Sequence, residues 1–150
     1  MEDPFFMKNI EGSKVKIELN RKNDAFHFQG KGIGNVTINI DGSPEIGGEN
    51  AGARPMELIL MGLGSCSAID IIQILKKQKQ EISEIKINIE AERENKIPAV
   101  FKNINIEYYL SGELDKNKVD RAIRLSMDKY CSVTAMLNKT AKINYSFKIN

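Results

Sequence analysis

A chain of 150 residues with 41% hydrophobic composition suits a single domain with one core, and one domain over 1–150 is expected. Its 22 Lys and Arg stand against 20 Asp and Glu with no long basic block, which argues against a nucleic-acid partner. The start, Met1 to Met7, carries too short an apolar stretch for a secretory signal, so no export and a cytoplasmic, reducing setting are expected. Residues 1–13 are expected to be a poorly ordered start, or Met1 to Phe6 an addition ahead of a natural start at Met7.

Three short strands come first. Val15 to Leu19 and Val36 to Ile40 alternate apolar and polar residues, the pattern of a half-buried strand, and Ala25 to Gln29 is placed between them. Gly30, Gly32 and Gly34 read as turn residues, so the first third is expected to be an antiparallel meander. Ser43 to Arg54 is rich in Gly, Pro and Asn and reads as a loop.

Pro55 then suits a first helical turn, and Met56 to about Gln78 reads as one long helix, apolar nearly all round as far as Asp70. The longest apolar run is broken by Ser65, Ser67 and Asp70, so it reads as a buried helix and not a membrane span. Ile85 to Ile89 and Ile104 to Leu110 are predicted strands of a hairpin. An amphipathic helix over Asp115 to Tyr130 follows, then Cys131 with a short helical segment through Leu137, then a last strand, Ile143 to Ile149. The order implies an α+β domain with a long buried central helix and helices packed on one face of an antiparallel sheet. A helix apolar on every side exceeds what one sheet face covers, so a homodimer is expected.

The chemistry-bearing residues are few. Cys66 lies among small residues, Gly62-Leu63-Gly64-Ser65-Cys66-Ser67, and Cys131 at a helix junction, Tyr130-Cys131-Ser132-Val133-Thr134. Each cysteine alone reads as a small buried hydrophobe. Two of them on helical segments beside hydroxyl residues point to a redox pair, with N–H groups at a new helical turn after Cys131 favouring its thiolate. Asp70, one turn after Cys66, disfavours that thiolate. Glu57 reads equally as a dipole partner of the first helical turn or a catalytic acid. Arg54 and Arg21 are the arginines nominated to activate a thiolate. His27 is the lone histidine, and with two distant cysteines it makes a poor metal set, so no metal site is expected.

Pro55 to Asp70, together with Lys129-Tyr130-Cys131-Ser132-Val133-Thr134-Ala135-Met136-Leu137, resembles the OsmC/Ohr family of osmotically inducible and organic hydroperoxide resistance proteins, and within it the YhfA-like branch. The resemblance runs from about Val15 to the C-terminus. It implies an OsmC-like fold, an intertwined homodimer, and active sites at the subunit interface beside the central helices. It also implies that Cys66 occupies the peroxidatic position and Cys131 the resolving one, with a sulfenic acid and then a disulfide as intermediates, and a dithiol of lipoyl or thioredoxin type as reductant. Two features depart from the pattern of the hydroperoxide reductases. Their glutamate directly follows the helix-opening proline, where this chain has Met56, and Glu57 one place later is a helical rotation of about 100°. Their thiolate-holding arginine comes from the N-terminal strands, where no motif anchors Arg21; Arg54 of the loop is the substitute.

The expected function is therefore a thiol-dependent peroxidase for organic hydroperoxides, with Cys66, Cys131, Glu57 and Arg54 as catalytic residues and the apolar Met56, Leu60 and Met61 binding substrate. No metal, haem or flavin is required. The alternatives are a non-catalytic carrier of hydrophobic ligands, which the displaced glutamate favours, and a redox sensor.

Overall fold

The computed structural model describes residues 14–150, so the expectation for the first thirteen lies outside the described residues. The chain divides into two compact units, Met1–Ile59 and Leu60–Asn150.

In the first unit β1 (Glu18–Arg21), β2 (Phe28–Lys31) and β3 (Thr37–Ile40) pair antiparallel in that order, the meander expected from alternation. The first two strands begin at Glu18 and Phe28, later than the expected starts at Val15 and Ala25. Pairing decides this: Gly30, predicted as a turn residue, sits opposite Leu19 on one side and Ile38 on the other. A Cβ at Gly30 would meet Leu19 Cδ2 at 2.9 Å, so the close approach of the strands requires glycine. The register puts Leu19, Arg21, Phe28, Gly30, Ile38 and Ile40 on one face. Leu19 and Ile38 are still 56% and 53% exposed there, among the described residues.

The glycine-rich loop after β3 is held by one side chain. Asp41 is fully buried and accepts the N–H groups of Gly42, Glu49 and Ala51 at 2.8, 2.9 and 3.1 Å. A 3-10 turn, Pro44–Ile46, lies inside the loop, and an isolated bridge between Ile40 and Ala53 closes it. Burial pushes the Asp41 carboxyl up, but the three backbone donors outweigh burial and hold it below its ordinary value.

The long helix α1 (Pro55–Lys77) begins in the first unit and continues into the second. By length and composition alone it could cross a membrane. Its Leu63, Ile71 and Leu75 are instead fully buried in the second unit. There β4 (Glu81–Arg93), β5 (Phe101–Glu113) and β6 (Lys142–Ile149) form one sheet in chain order. β4 and β5 are the expected antiparallel hairpin, whereas β6 runs parallel to β5, so the wholly antiparallel sheet is corrected to a mixed one. The physical reason is the long helical connection before β6, which gives the chain the crossover that a parallel return requires.

Ile104, Ile106, Tyr108 and Leu110 alternate along β5 and are all buried, the period-2 face that carries the core. Each of the three aliphatic side chains contributes about 1.5–3 kcal/mol by leaving water. Gly64 of α1 rests on β4, where a Cβ would meet Ile89 Cδ1 at 2.9 Å. Val119, Ala122 and Ile123 of α2 (Lys116–Leu125) complete the core. The helix predicted to run on to Tyr130 changes form at Leu125. Ser126–Tyr130 is a wider π-helical turn, Cys131 takes an extended conformation (φ −74°, ψ 107°), and α3 (Ser132–Leu137) begins after it.

Candidate functional site

The site lies in the second unit, where α1 meets the junction of the π turn and α3. Asp115 starts the approach by capping α2, its carboxylate accepting the Lys118 N–H at 3.0 Å. At the far end the widened turn brings the chain out of helical geometry. The Cys131 N–H donates to the Ser126 carbonyl at 2.8 Å, and Cys131 becomes the N-cap of α3, its sulfur accepting the Thr134 N–H at 3.4 Å. The expectation that helical N–H groups follow Cys131 thus has a concrete form in this capping contact.

On α1, Cys66 is half-buried and Asp70 lies one turn later, nearly buried. The Cys66 sulfur, the Cys131 sulfur and an Asp70 carboxylate oxygen all lie within 4.8 Å of one another. Two thiols 65 positions apart in sequence are therefore neighbours, with one reachable from outside and its mate buried at 3% exposure. Ser126 ties the turn to α1 by donating its hydroxyl to Asp70 Oδ2 at 3.0 Å. Ser67, next to Cys66, shares a 2.7 Å hydrogen bond with the buried Tyr108 hydroxyl and fixes this stretch of α1 over β5.

Burial pushes the Cys66 thiol up, the Val133 N–H opposes that by donating to it, and the neighbouring Cys131 and Asp70 raise it further. Burial likewise raises the Asp70 carboxyl against the Ser126 hydrogen bond. Tyr108 is pushed up to about 12, chiefly by burial, and is a neutral hydroxyl at physiological pH.

The other predicted residues are placed as follows. In the first unit the Arg54 N–H donates to Glu57 Oε1 at 2.8 Å, one half of a capping box that closes the start of α1. The Arg54 guanidinium donates to the Gly52 carbonyl at 3.1 Å and to the Asn50 side chain. The Arg21 Nε–H donates to the Ala25 carbonyl at 2.9 Å. All three are thus bound to their own local backbone or loop. Met56 and Leu60 are half-buried and Met61 is exposed. Sequence reasoning missed Ser126 and the Ser67–Tyr108 pair. No local signal marks Ser126, since it meets Asp70 across 56 positions of chain.

Fold and centre together define an α+β protein with paired thiols where its long helix meets a helix junction. The chain belongs to the OsmC-like protein family, whose profile matches residues 47–146. It is 37% identical over 123 residues to Protein YhfA of Escherichia coli strain K12, covering 81% of this chain and 89% of that protein. A hypothetical protein from Aquifex aeolicus VF5 has a similar crystal structure, with a TM-score of 0.80, 34% identity, and coverage of 92% of this chain and 97% of that one. The organic hydroperoxide resistance protein OsmC from Legionella pneumophila shares the fold, with a TM-score of 0.69 at 14% identity over 91% of this chain and 98% of that one.

Proposed function

We propose that this protein is a thiol-dependent peroxidase that reduces organic hydroperoxides. The observation that carries the reading is the proximity of a half-buried and a buried sulfur, within 4.8 Å on separate elements. Kinship of fold with a protein named for organic hydroperoxide resistance adds support.

In the first step the Cys66 sulfur, on losing its proton, attacks one oxygen of ROOH. The O–O bond breaks, the alcohol ROH leaves with the proton, and Cys66 becomes a sulfenic acid. The Cys131 thiol then attacks that sulfur, forming the S–S bond and releasing water. Two thiols of an external dithiol, of lipoyl or thioredoxin type, reduce the disulfide and become a disulfide themselves. Met56, Leu60 and Met61 are proposed to receive the organic part of the substrate, and Arg54 and Glu57 to assist as the charged pair. The proposed setting is a reducing cytoplasm, since the cycle needs thiols restored after each turnover.

A homodimer is part of the proposal. Met61 and Ile69 are 54% and 57% exposed and fall on one side of α1 with Ile72, an apolar strip left exposed among the described residues.

One observation favours the second reading, a ligand carrier or redox sensor: Cys66 is raised, not lowered, and Arg54 and Glu57 are occupied by local hydrogen bonds. Turnover separates the two. With cumene hydroperoxide and excess dithiol, the peroxidase reading expects consumption of many equivalents per chain, lost in Cys66→Ser and in Cys131→Ser. Consumption no faster than that by free cysteine leaves the carrier or sensor.

A further inference from the structure

We propose that Cys66, Cys131 and Asp70 together form a binding site for a thiophilic divalent cation such as zinc, filled in the reduced protein and closed by the disulfide. This inference does not rest on the peroxidase reading, because metal uptake requires convergent donors and not a reactive thiolate.

The donor atoms are already gathered. Around a tetrahedral zinc with bonds of about 2.3 Å to sulfur and about 2.0–2.2 Å to oxygen, ligand atoms stand about 3.5–3.8 Å apart. The two sulfurs and the Asp70 oxygen lie within 4.8 Å of each other, so closing on a cation asks for movements of about 1 Å. Cys66 and Asp70 are one turn apart on α1, the spacing that aims two ligands from one helix face. Cys131 supplies the third from the α3 junction. One histidine and two cysteines distant in sequence make a poor metal set, but the fold brings the Asp70 carboxylate to both sulfurs and completes one.

The surroundings suit metal ligands in two further respects. Each donor has a supporting hydrogen bond: Ser126 to Asp70 Oδ2 at 3.0 Å, the Thr134 N–H to the Cys131 sulfur at 3.4 Å, and the Val133 N–H to the Cys66 sulfur. Such outer contacts orient ligands and hold their ionised form. Cys131 and Asp70 are the acidic groups that stand beside Cys66. Two thiolates and a carboxylate carry three negative charges, and a soft dication is the partner that compensates them. Three protein donors leave one position of a tetrahedral cation for water or a small thiol, and Cys66 is the half-buried member of the set.

Cobalt(II) is the probe, added to the full-length reduced protein without oxygen. The expected result is one cobalt per chain, with intense thiolate-to-cobalt charge transfer and tetrahedral visible bands, displaced by equimolar zinc. Cys66→Ser and Cys131→Ser should each weaken the charge-transfer band and lower affinity at least tenfold. Asp70→Asn should keep the thiolate bands and lose affinity about tenfold. Protein oxidised with diamide should bind none, and zinc-loaded protein should lose thiols to hydroperoxide more slowly than the metal-free form. The proposal is overturned if reduced wild type shows no thiolate-to-cobalt band, or if the Cys66→Ser/Cys131→Ser double variant binds as well as wild type. Unchanged affinity in Asp70→Asn, with circular dichroism showing a native fold, overturns the three-ligand site.

Discussion

Two buried aspartates, one in each unit, differ in the one respect that separates scaffold from chemistry. Asp41 in the first unit accepts three backbone N–H groups, and its carboxyl is held low despite its burial. Asp70 in the second has one hydroxyl donor, Ser126, and two sulfurs for company, and burial raises it. Burial alone therefore does not mark a functional group. The partner set does, because a satisfied carboxylate fixes a loop while a poorly satisfied one retains free energy that a proton, a substrate or a cation can release.

Removing each carboxylate sharpens the contrast. Asp41→Ala orphans three backbone donors at once, and the largest loss of stability is expected there, seen as rapid proteolysis within residues 41–53 at temperatures where wild type resists. Asp70→Ala is expected to stay folded by circular dichroism. Equal loss in both variants would break the comparison.

The pH dependence has opposite signs at the two positions. Asp41, lowered on folding, contributes stability that is present above the unfolded carboxyl value of about 3.9 and is lost as pH falls through its depressed value. Asp70, raised on folding, contributes stability that is present below that unfolded value and is lost as pH rises through its raised one. Denaturant midpoints measured across pH should therefore rise with pH more shallowly in Asp41→Asn than in wild type, and more steeply in Asp70→Asn.

A smaller effect concerns the thiol. Asp70 is the least of the influences raising Cys66, and burial is the greatest. Asp70→Asn should accordingly speed iodoacetamide alkylation of Cys66 at pH 8 by only about two- to fivefold. No change is expected in Asp41→Asn. Smallest of all, Ser126→Ala removes the one donor that lowers Asp70, a hydrogen bond worth about 1 kcal/mol, and should move the Asp70 titration upward as followed by carboxyl NMR.

Alternation made the core strand legible, since Ile104 to Leu110 carries its own inward face, and the Pro55 start with a run of mostly good helix formers made α1 legible almost to the residue. Direction was not legible in the same way. The pattern of Ile143 to Ile149 says which side chains face inward but not whether the strand runs parallel to β5. Strand ends also escaped: Gly30 lies inside β2 because its neighbours close around it, which composition cannot reveal. At the site the two cysteines stood out by their rarity and their small neighbours. The π turn that delivers Cys131, and the hydroxyl that tethers Asp70, depend on contacts between distant segments.

The most direct test of the paired-thiol account is the intact mass of reduced protein after one equivalent of cumene hydroperoxide without added dithiol. The account predicts a loss of two hydrogens per chain, with a Cys66–Cys131 linkage recovered by peptide mapping, and a sulfenic acid that persists in Cys131→Ser. An unchanged mass, or oxidation of wild type that stops at a lasting sulfenic acid, would contradict it.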